Sequence, residues 1–345
     1  MSLFVRPLRK VVTFLFAIAF LNFCKKNERE VNLFIWSEYI PDNVIQAFER
    51  QKNIKVNIAY YTSNEEMLAK ILAGSSEFDL AVPSDYYLPI LLAEDQLQEI
   101  PKENLREFAN VDPYFLQTPY DPENRYSIPY MAGHALIIYD RKKTKPLKSY
   151  RDLWRSDLRN NIVLLDDMRA VIGMVCRSLG YSWNEKDPQK LEKAGEALKA
   201  LMPNVKKFDS DSPKKLLIEG EVAAGYVWGA EAALAMKERP SLKAIIPEEG
   251  IYLWLDSLVL LKDAPNPENA LEFIDYVLKE EVALQIAMAY PYITANAAAK
   301  KLLPPEIVTN PAIYPPPSAL AKGEFLTELG DVLTIYDRIW NTARR

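Results

Sequence analysis

"VNLFIWSEYIPDNVIQAFERQKNIKVNIAYY", residues 31–61, holds two apolar runs separated by one amphipathic segment. Val31–Trp36 is almost continuously apolar and rich in strand-forming residues, which predicts a buried strand. Pro41 falls at the first turn of a helix that places Val44, Ile45 and Phe48 on one face. Lys55–Tyr61 predicts a second strand. The alternation continues with "SNEEMLAKILAG", residues 63–74. Ser63 or Asn64 can cap that helix, Glu65 and Glu66 suit its first turn, and Gly74 follows its end. "FDLAVPS", residues 78–84, predicts a third strand, and "YLPILLAEDQL", residues 87–97, begins another helix. This strand–helix order predicts an α/β fold with a mostly parallel sheet and helices on both faces.

A second series follows. "ALIIYD" (135–140), "NIVLLDD" (161–167), "EVAAGYVW" (221–228) and "IYLWLDSLVLLK" (251–262) read as strands. "DPQKLEKAGEALKALM" (187–202), "SPKKLLIEG" (212–220) and "NPENALEFIDYVLKEEVALQIAMA" (266–289) read as helices, as does the tail, residues 323–343. Two α/β lobes are expected, 31–134 with 258–302 and 135–257 with 303–345. The chain crosses between them more than once, because the strand at 251–262 has no place in a separate third unit.

The bulk composition narrows the function. The chain has 345 residues, 49% apolar and 26% charged, with a formal net charge of −5. No basic stripe offers a nucleic acid a footprint. Arg6, Arg9 and Lys10 precede the apolar run 11–23, and Cys24 ends it. The run is too short for an ordinary membrane-spanning helix and carries the basic start of an export signal. Cys24 before the polar linker 25–30 points to a lipoprotein signal, residues 1–24, with lipid on Cys24. Phe23 departs from the small residue usual at that place. Cys176, in "VIGMVCRSLGY", reads as a buried structural thiol.

Several chemistries are missing. His134 is the only histidine, which excludes a His-rich metal site and reads as a hydrogen-bonded structural residue just before a strand. There is no G-x-S-x-G, H-E-x-x-H or G-x-G-x-x-G. Gly220 and Gly225 have phosphate-loop spacing, but Tyr226 stands where the lysine is needed. No metal or cofactor is expected. Aromatic residues and carboxylates recur together instead, at strand ends. Trp36, Glu38 and Tyr39 form one group, and Ser84, Asp85, Tyr86 and Tyr87 a second. Asp166 with Asp167, Trp228 with Glu231, Trp254 with Asp256, and Tyr290 with Tyr292 complete the series. Ligands of open α/β sheets bind beyond the carboxyl ends of strands. Ring faces and carboxylates suit an organic ammonium ion. Taken singly, each tryptophan is more often core, and each aspartate more often a helix cap.

The segments "IWSEYIP", "SNEEMLAKILAGSSEFDLAVPSDYY", "YSIPYMAG", "LMPNVKKFDSDSP", "IPEEG", "WLDS" and "NPAIYPPP" resemble those of the spermidine/putrescine-binding proteins of bacterial ABC transporters, from residue 31 to the C-terminus. The resemblance implies the type II periplasmic-binding-protein fold, two lobes joined by crossover strands with the ligand in the interlobe cleft. It implies an exported, lipid-anchored, monomeric protein without catalytic activity. Such a protein closes by a hinge on a polyamine and hands it to a membrane permease. It assigns Trp36, Ser37, Glu38 and Tyr39 to one binding segment, Ser84 and Tyr86 to another, and Asp167, Trp228, Trp254, Asp256 and Tyr292 to the rest of the cleft. Asp256 is the first choice for the principal ammonium acceptor.

The departures concern specificity. Ala170 stands where the family usually has a cleft glutamate, and Asp85 where a small or hydroxylated residue is common. Glu231 and Leu326 match putrescine-type members, whereas Glu38, Tyr86, Asp167 and Trp254 match spermidine-type ones. The alternative ligand is another cationic metabolite, a guanidinium or amine-bearing compound. An enzyme using His134, or Asp166 with Asp167, is a third reading; neighbouring strand residues point to opposite faces, which argues against that pair.

Overall fold

The computed structural model describes residues 29–74 and 77–344. The export signal, Cys24 and all but the end of the linker lie outside them. β1 (Glu30–Trp36) pairs in parallel with β2 (Lys55–Tyr61), in register from Glu30↔Lys55 to Trp36↔Tyr61. β3 (Leu80–Ala81) lies parallel on the other side of β1. The helix Asp42–Lys52 buries Val44, Ile45 and Phe48, and ends where Asn53 turns into the left-handed region at φ 52°. Ser63 caps the helix Asn64–Leu72 by accepting from the Glu66 N–H at 3.1 Å, and the Glu66 carboxylate accepts in return from the Thr62 N–H at 2.9 Å. Two orphan donors at one helix start are thereby satisfied.

β4 (Ser127–Asp140) is one strand of 14 residues, so His134 lies inside it rather than before it. Pro129 and Gly133 had obscured its first half. The ladder tolerates them because the register shifts between Pro129 and Met131, and because Gly133 leaves room for a ring from the neighbouring strand. β5 (Ile162–Leu164), β6 (Val205–Phe208), β7 (Ala224–Trp228), β8 (Leu242–Ile245), β9 (Tyr252–Leu260), β10 (Ile293–Thr294) and β11 (Glu324–Phe325) complete one sheet. The order is β2-β1-β3-β9-β4-β7-β5-β6, with β8 and β10 also on β4 and β11 on β9.

The sheet is not mostly parallel. The triplets β2-β1-β3 and β7-β5-β6 are parallel, but every pairing at the centre, β3–β9, β9–β4 and β4–β7, is antiparallel. β9 runs against β3, β4 runs against β7, and the two run against each other. Residues 127–135 of β4 pair with β9, and residues 135–140 pair with β7 and β8.

Three helical expectations change. The helix Met168–Ser178, whose side chains are nearly all buried, is absent from the sequence reading. Residues 266–289 form two helices, Pro267–Val277 and Glu280–Ala289. Between them the Leu278 carbonyl is taken by the side-chain amides of Asn110 (3.1 Å) and Asn296 (2.7 Å). In the tail only Leu333–Ala343 is a long helix, since Glu324–Phe325 pairs with β9. Cys176 is buried in the core, where desolvation pushes its thiol up to about 12.

Candidate functional site

β1, β2 and β5 end on the same side of the sheet, facing residues of β7 and β9. A cavity of about 680 Å³ opens there. Trp36, Ser37, Glu38, Tyr39, Ser84, Asp167, Trp228, Trp254, Asp256 and Tyr292 all line it. Asp85, Tyr86 and Glu231 do not; they are buried behind the wall.

The aromatic lining is continuous. Ring centroids lie 4.5 Å apart for Trp36–Tyr61, 5.6 Å for Tyr39–Tyr292, 5.3 Å for Trp254–Tyr292 and 6.1 Å for Trp228–Trp254. Polar atoms fix several rings. The Trp36 indole donates to the Val82 carbonyl at 3.0 Å, as does the Tyr61 hydroxyl at 2.6 Å. The Trp228 indole donates to the Ser210 carbonyl at 3.2 Å. Trp254 lies against the bare backbone of Gly133, where a Cβ would meet its ring at 2.4 Å.

Carboxylates punctuate this wall. Asp256 is buried on β9, and its Oδ2 accepts from the Tyr39 hydroxyl at 2.6 Å. Its Oδ1 is buried without a hydrogen-bond partner among the described residues. Burial pushes its carboxyl up to about 7, against the lowering effect of Tyr39 and Ser84. Asp167 caps the helix Met168–Ser178, its Oδ1 accepting from the Ala170 N–H at 2.8 Å. It is half-buried, and desolvation with the nearby charge of Glu65 pushes its carboxyl up to about 6. Asp166 lines the cavity beside it but is exposed and pairs with Arg344 at 2.6 Å. Asp85 takes its neighbour's N–H, that of Tyr86, at 2.8 Å and keeps Oδ2 unpartnered; burial and then Asp256 hold its carboxyl well above the usual range.

Side chains distant in sequence bridge the rim. Ser37 hydrogen-bonds Asp211. Lys214 reaches both Glu38 (2.5 Å) and the buried Glu231 (2.7 Å). Desolvation pushes Glu231 up to about 7 even so. Glu38 holds the left-handed conformation, φ 50°, which aims its side chain away from the extended path of β1.

Sequence reasoning passed over Tyr61, Asn64, Tyr252 and Lys214. Tyr61 was findable, since it ends β2 beside Trp36 in the parallel register. Nothing local marked Lys214. His134 is buried outside the cavity, with neither ring nitrogen hydrogen-bonded among the described residues, and burial lowers it to about 4. That replaces the hydrogen-bonded role expected of it.

Desolvated carboxyls among ring faces can hold an organic cation. Each ring contact contributes about 0.5–2 kcal/mol once water is excluded, and the arriving charge restores the ionised form of the acids.

The chain matches the sequence profile of the family described as bacterial extracellular solute-binding protein over residues 43–315. It is 40% identical over 312 residues to the spermidine/putrescine-binding periplasmic protein of Salmonella typhimurium, covering 90% of each chain. Its fold is similar to the solved spermidine/putrescine ABC transporter substrate-binding protein of Streptococcus pneumoniae, at TM-score 0.78 and 33% identity, covering 92% of this chain and 100% of the other. It is also similar to a Treponema pallidum lipoprotein, at TM-score 0.79 and 27% identity, covering 91% and 99%.

Proposed function

The chain belongs to the bacterial extracellular solute-binding proteins, and from that premise we propose that its cleft captures putrescine or spermidine outside the cytoplasm for an ABC transporter. The observation that carries this reading is Asp256: a buried carboxyl with one oxygen bare, in a cavity walled by Tyr39, Trp254 and Tyr292. The ammonium end of the ligand binds Asp256, and its methylenes lie against the rings. Trp36, Ser37, Glu38, Ser84, Asp167 and Trp228 complete the contact surface. Asp85 and Tyr86 act from behind the wall, and Glu231 acts through Lys214. The lobes divide near residues 134 and 257, and β4 and β9 flex there as the cleft closes.

The apolar run before Cys24 supports lipid anchoring, as does the likeness to a lipoprotein. The protein works as a monomer on the membrane surface and presents the closed form to the permease. It carries out no chemical step.

Calorimetric titration of the amine-free protein with putrescine, cadaverine, spermidine and spermine tests the reading. Tight one-to-one binding of putrescine or spermidine is expected. Binding of none of the four rejects it. The unpartnered Oδ2 of Asp85 and the missing acid at Ala170 favour a second reading, a guanidinium ligand, which titration with agmatine separates from the first.

A further inference from the structure

Lys214 opens the short helix Lys214–Glu219, with 13% of its side chain exposed. Its Nζ lies 2.5 Å from Glu38 Oε2 and 2.7 Å from Glu231 Oε1. Glu38 follows β1 in one lobe; Lys214 and Glu231 belong to the other. Glu231 has 4% of its side chain exposed, so one member of this bridge is fully withdrawn from water. Tyr292, which also lines the cavity, feels the charges of both glutamates. An ammonium between two carboxylates beside an aromatic ring is the environment that the cleft offers a ligand. At this end the chain supplies the ammonium itself, on a flexible four-carbon stem.

The remaining acceptors can be counted. Among the cavity-lining carboxyls withdrawn from solvent, Asp167 and Asp256 have no ion-pair partner among the described residues. Glu65, Asp211 and Asp337 also line the cavity but are exposed, and Asp209 is paired with Lys207 at 2.7 Å. Two acceptors without a cation, Asp256 buried and Asp167 half-buried, match two ligand ammonium groups. A third cation at the Glu38–Glu231 end would have to displace Lys214 or sit beside a like charge in a desolvated site, which is costly.

We propose that Lys214 is a specificity-determining residue, its ammonium occupying the Glu38–Glu231 pair in place of a ligand's, so that the cleft selects a diamine over a triamine. This rests on the polyamine reading above. It is a different kind of control from a change in cavity length, because it acts through charge already paired inside the protein.

The test titrates the amine-free full-length chain with putrescine and spermidine, as wild type, Lys214→Met, Lys214→Ala and Lys214→Arg. Wild type is expected to prefer putrescine. Lys214→Met and Lys214→Ala raise the spermidine-to-putrescine affinity ratio about tenfold or more, a change equal to one ammonium–carboxylate contact of ~1.4 kcal/mol. Lys214→Arg keeps the cation and the wild-type preference, which also controls for a folding defect in the neutral variants. Adding Glu231→Gln to Lys214→Met abolishes the gain, because the acceptor of the third ammonium is gone. A ratio that stays within about twofold of wild type in both neutral variants overturns the assignment. So does a gain that survives Glu231→Gln, or a wild type that prefers spermidine. Wild type binding neither amine overturns the polyamine reading as well.

Discussion

The Tyr39 hydroxyl donates to Asp256 Oδ2 at 2.6 Å, joining residues 217 positions apart in the chain. Tyr39 follows β1, and Asp256 lies on the crossover strand β9. The Tyr39 main chain is held in turn, its carbonyl accepting from the Tyr130 hydroxyl at 2.8 Å. One carboxylate oxygen is therefore oriented by the protein, and the other is buried without a hydrogen-bond partner among the described residues.

Asp256→Asn keeps the shape and removes the charge. Polyamine affinity should fall about 100-fold or more, because losing one partner of a desolvated ion pair costs ~3 kcal/mol. The ligand-free melting temperature should hold or rise, since a buried acid has been removed. Tyr39→Phe should cost about tenfold in affinity, roughly the worth of one hydrogen bond to a charged group. Titration and thermal melts check both; an Asp256→Asn protein that binds normally removes Asp256 from the site.

Binding should release protons. Burial raises Asp256 to about 7, and burial with Glu65 raises Asp167 to about 6, in the ligand-free cleft. A bound ammonium favours the ionised acids and lowers both values. At pH 6 the binding heat should therefore depend on the buffer's ionisation enthalpy, and at pH 8.5 it should not. Affinity should rise from pH 5 to pH 8. The stability of the ligand-free protein has the opposite sign. A carboxyl raised on folding stabilises fully below its unfolded value, and loses that contribution as pH rises through the folded one. The gap between ligand-bound and ligand-free melting temperatures should therefore widen from pH 5 to pH 8. Equal heats in phosphate and imidazole at pH 6 would refute the coupling.

Gly133 should behave as a binding residue without touching ligand. It does not line the cavity, yet a Cβ there would lie 2.4 Å from the Trp254 ring. Gly133→Ala should displace that ring, destabilise by about 1–3 kcal/mol through overpacking and weaken polyamine binding about tenfold, the loss of one ring contact. Ligand-induced tryptophan fluorescence checks it; unchanged binding with unchanged emission would show that Trp254 adapts without consequence.

Asp79 offers the converse case, stability without function. It is fully buried and accepts from the Asn32 N–H (2.7 Å), the Asn32 amide (3.0 Å) and both nitrogens of Asn266. It ties β1 to the turn before the helix Pro267–Val277. Asp79→Ala leaves those donors unmet and should destabilise by about 3 kcal/mol. Affinity, measured well below the melting temperature, should stay within about twofold of wild type. A loss of affinity in a still-folded protein would tie this anchor to the cleft.

Much of the architecture was legible because its causes are local. Val31–Trp36 and Lys55–Tyr61 are strands in the structure nearly as read, since a run of apolar, β-prone residues has few other stable uses. Ser63 caps its helix through geometry that spans a single turn. The grouping of rings and acids was also visible, and it falls at strand ends for Trp36 and Asp167, whereas Trp254 and Asp256 lie inside β9. What failed depended on distant partners. Half of β4 hid behind Pro129 and Gly133, whose tolerance comes from β9. The helix Met168–Ser178, its side chains nearly all buried, is absent from the sequence reading. The break at Leu278 comes from two asparagine amides far away in the chain.

The sequence alone determined the two-series α/β order and the segments in which rings and carboxylates occur together. Only the tertiary structure decided which acids stand free. Asp256 and Asp167 line the cavity without a cation, Asp85 lies behind the wall, and Glu231 is neutralised by Lys214 from another element. Residue type and strand position follow from short-range periodicity, whereas the charge state of a buried acid depends on desolvation and on partners that only folding brings within a few ångströms.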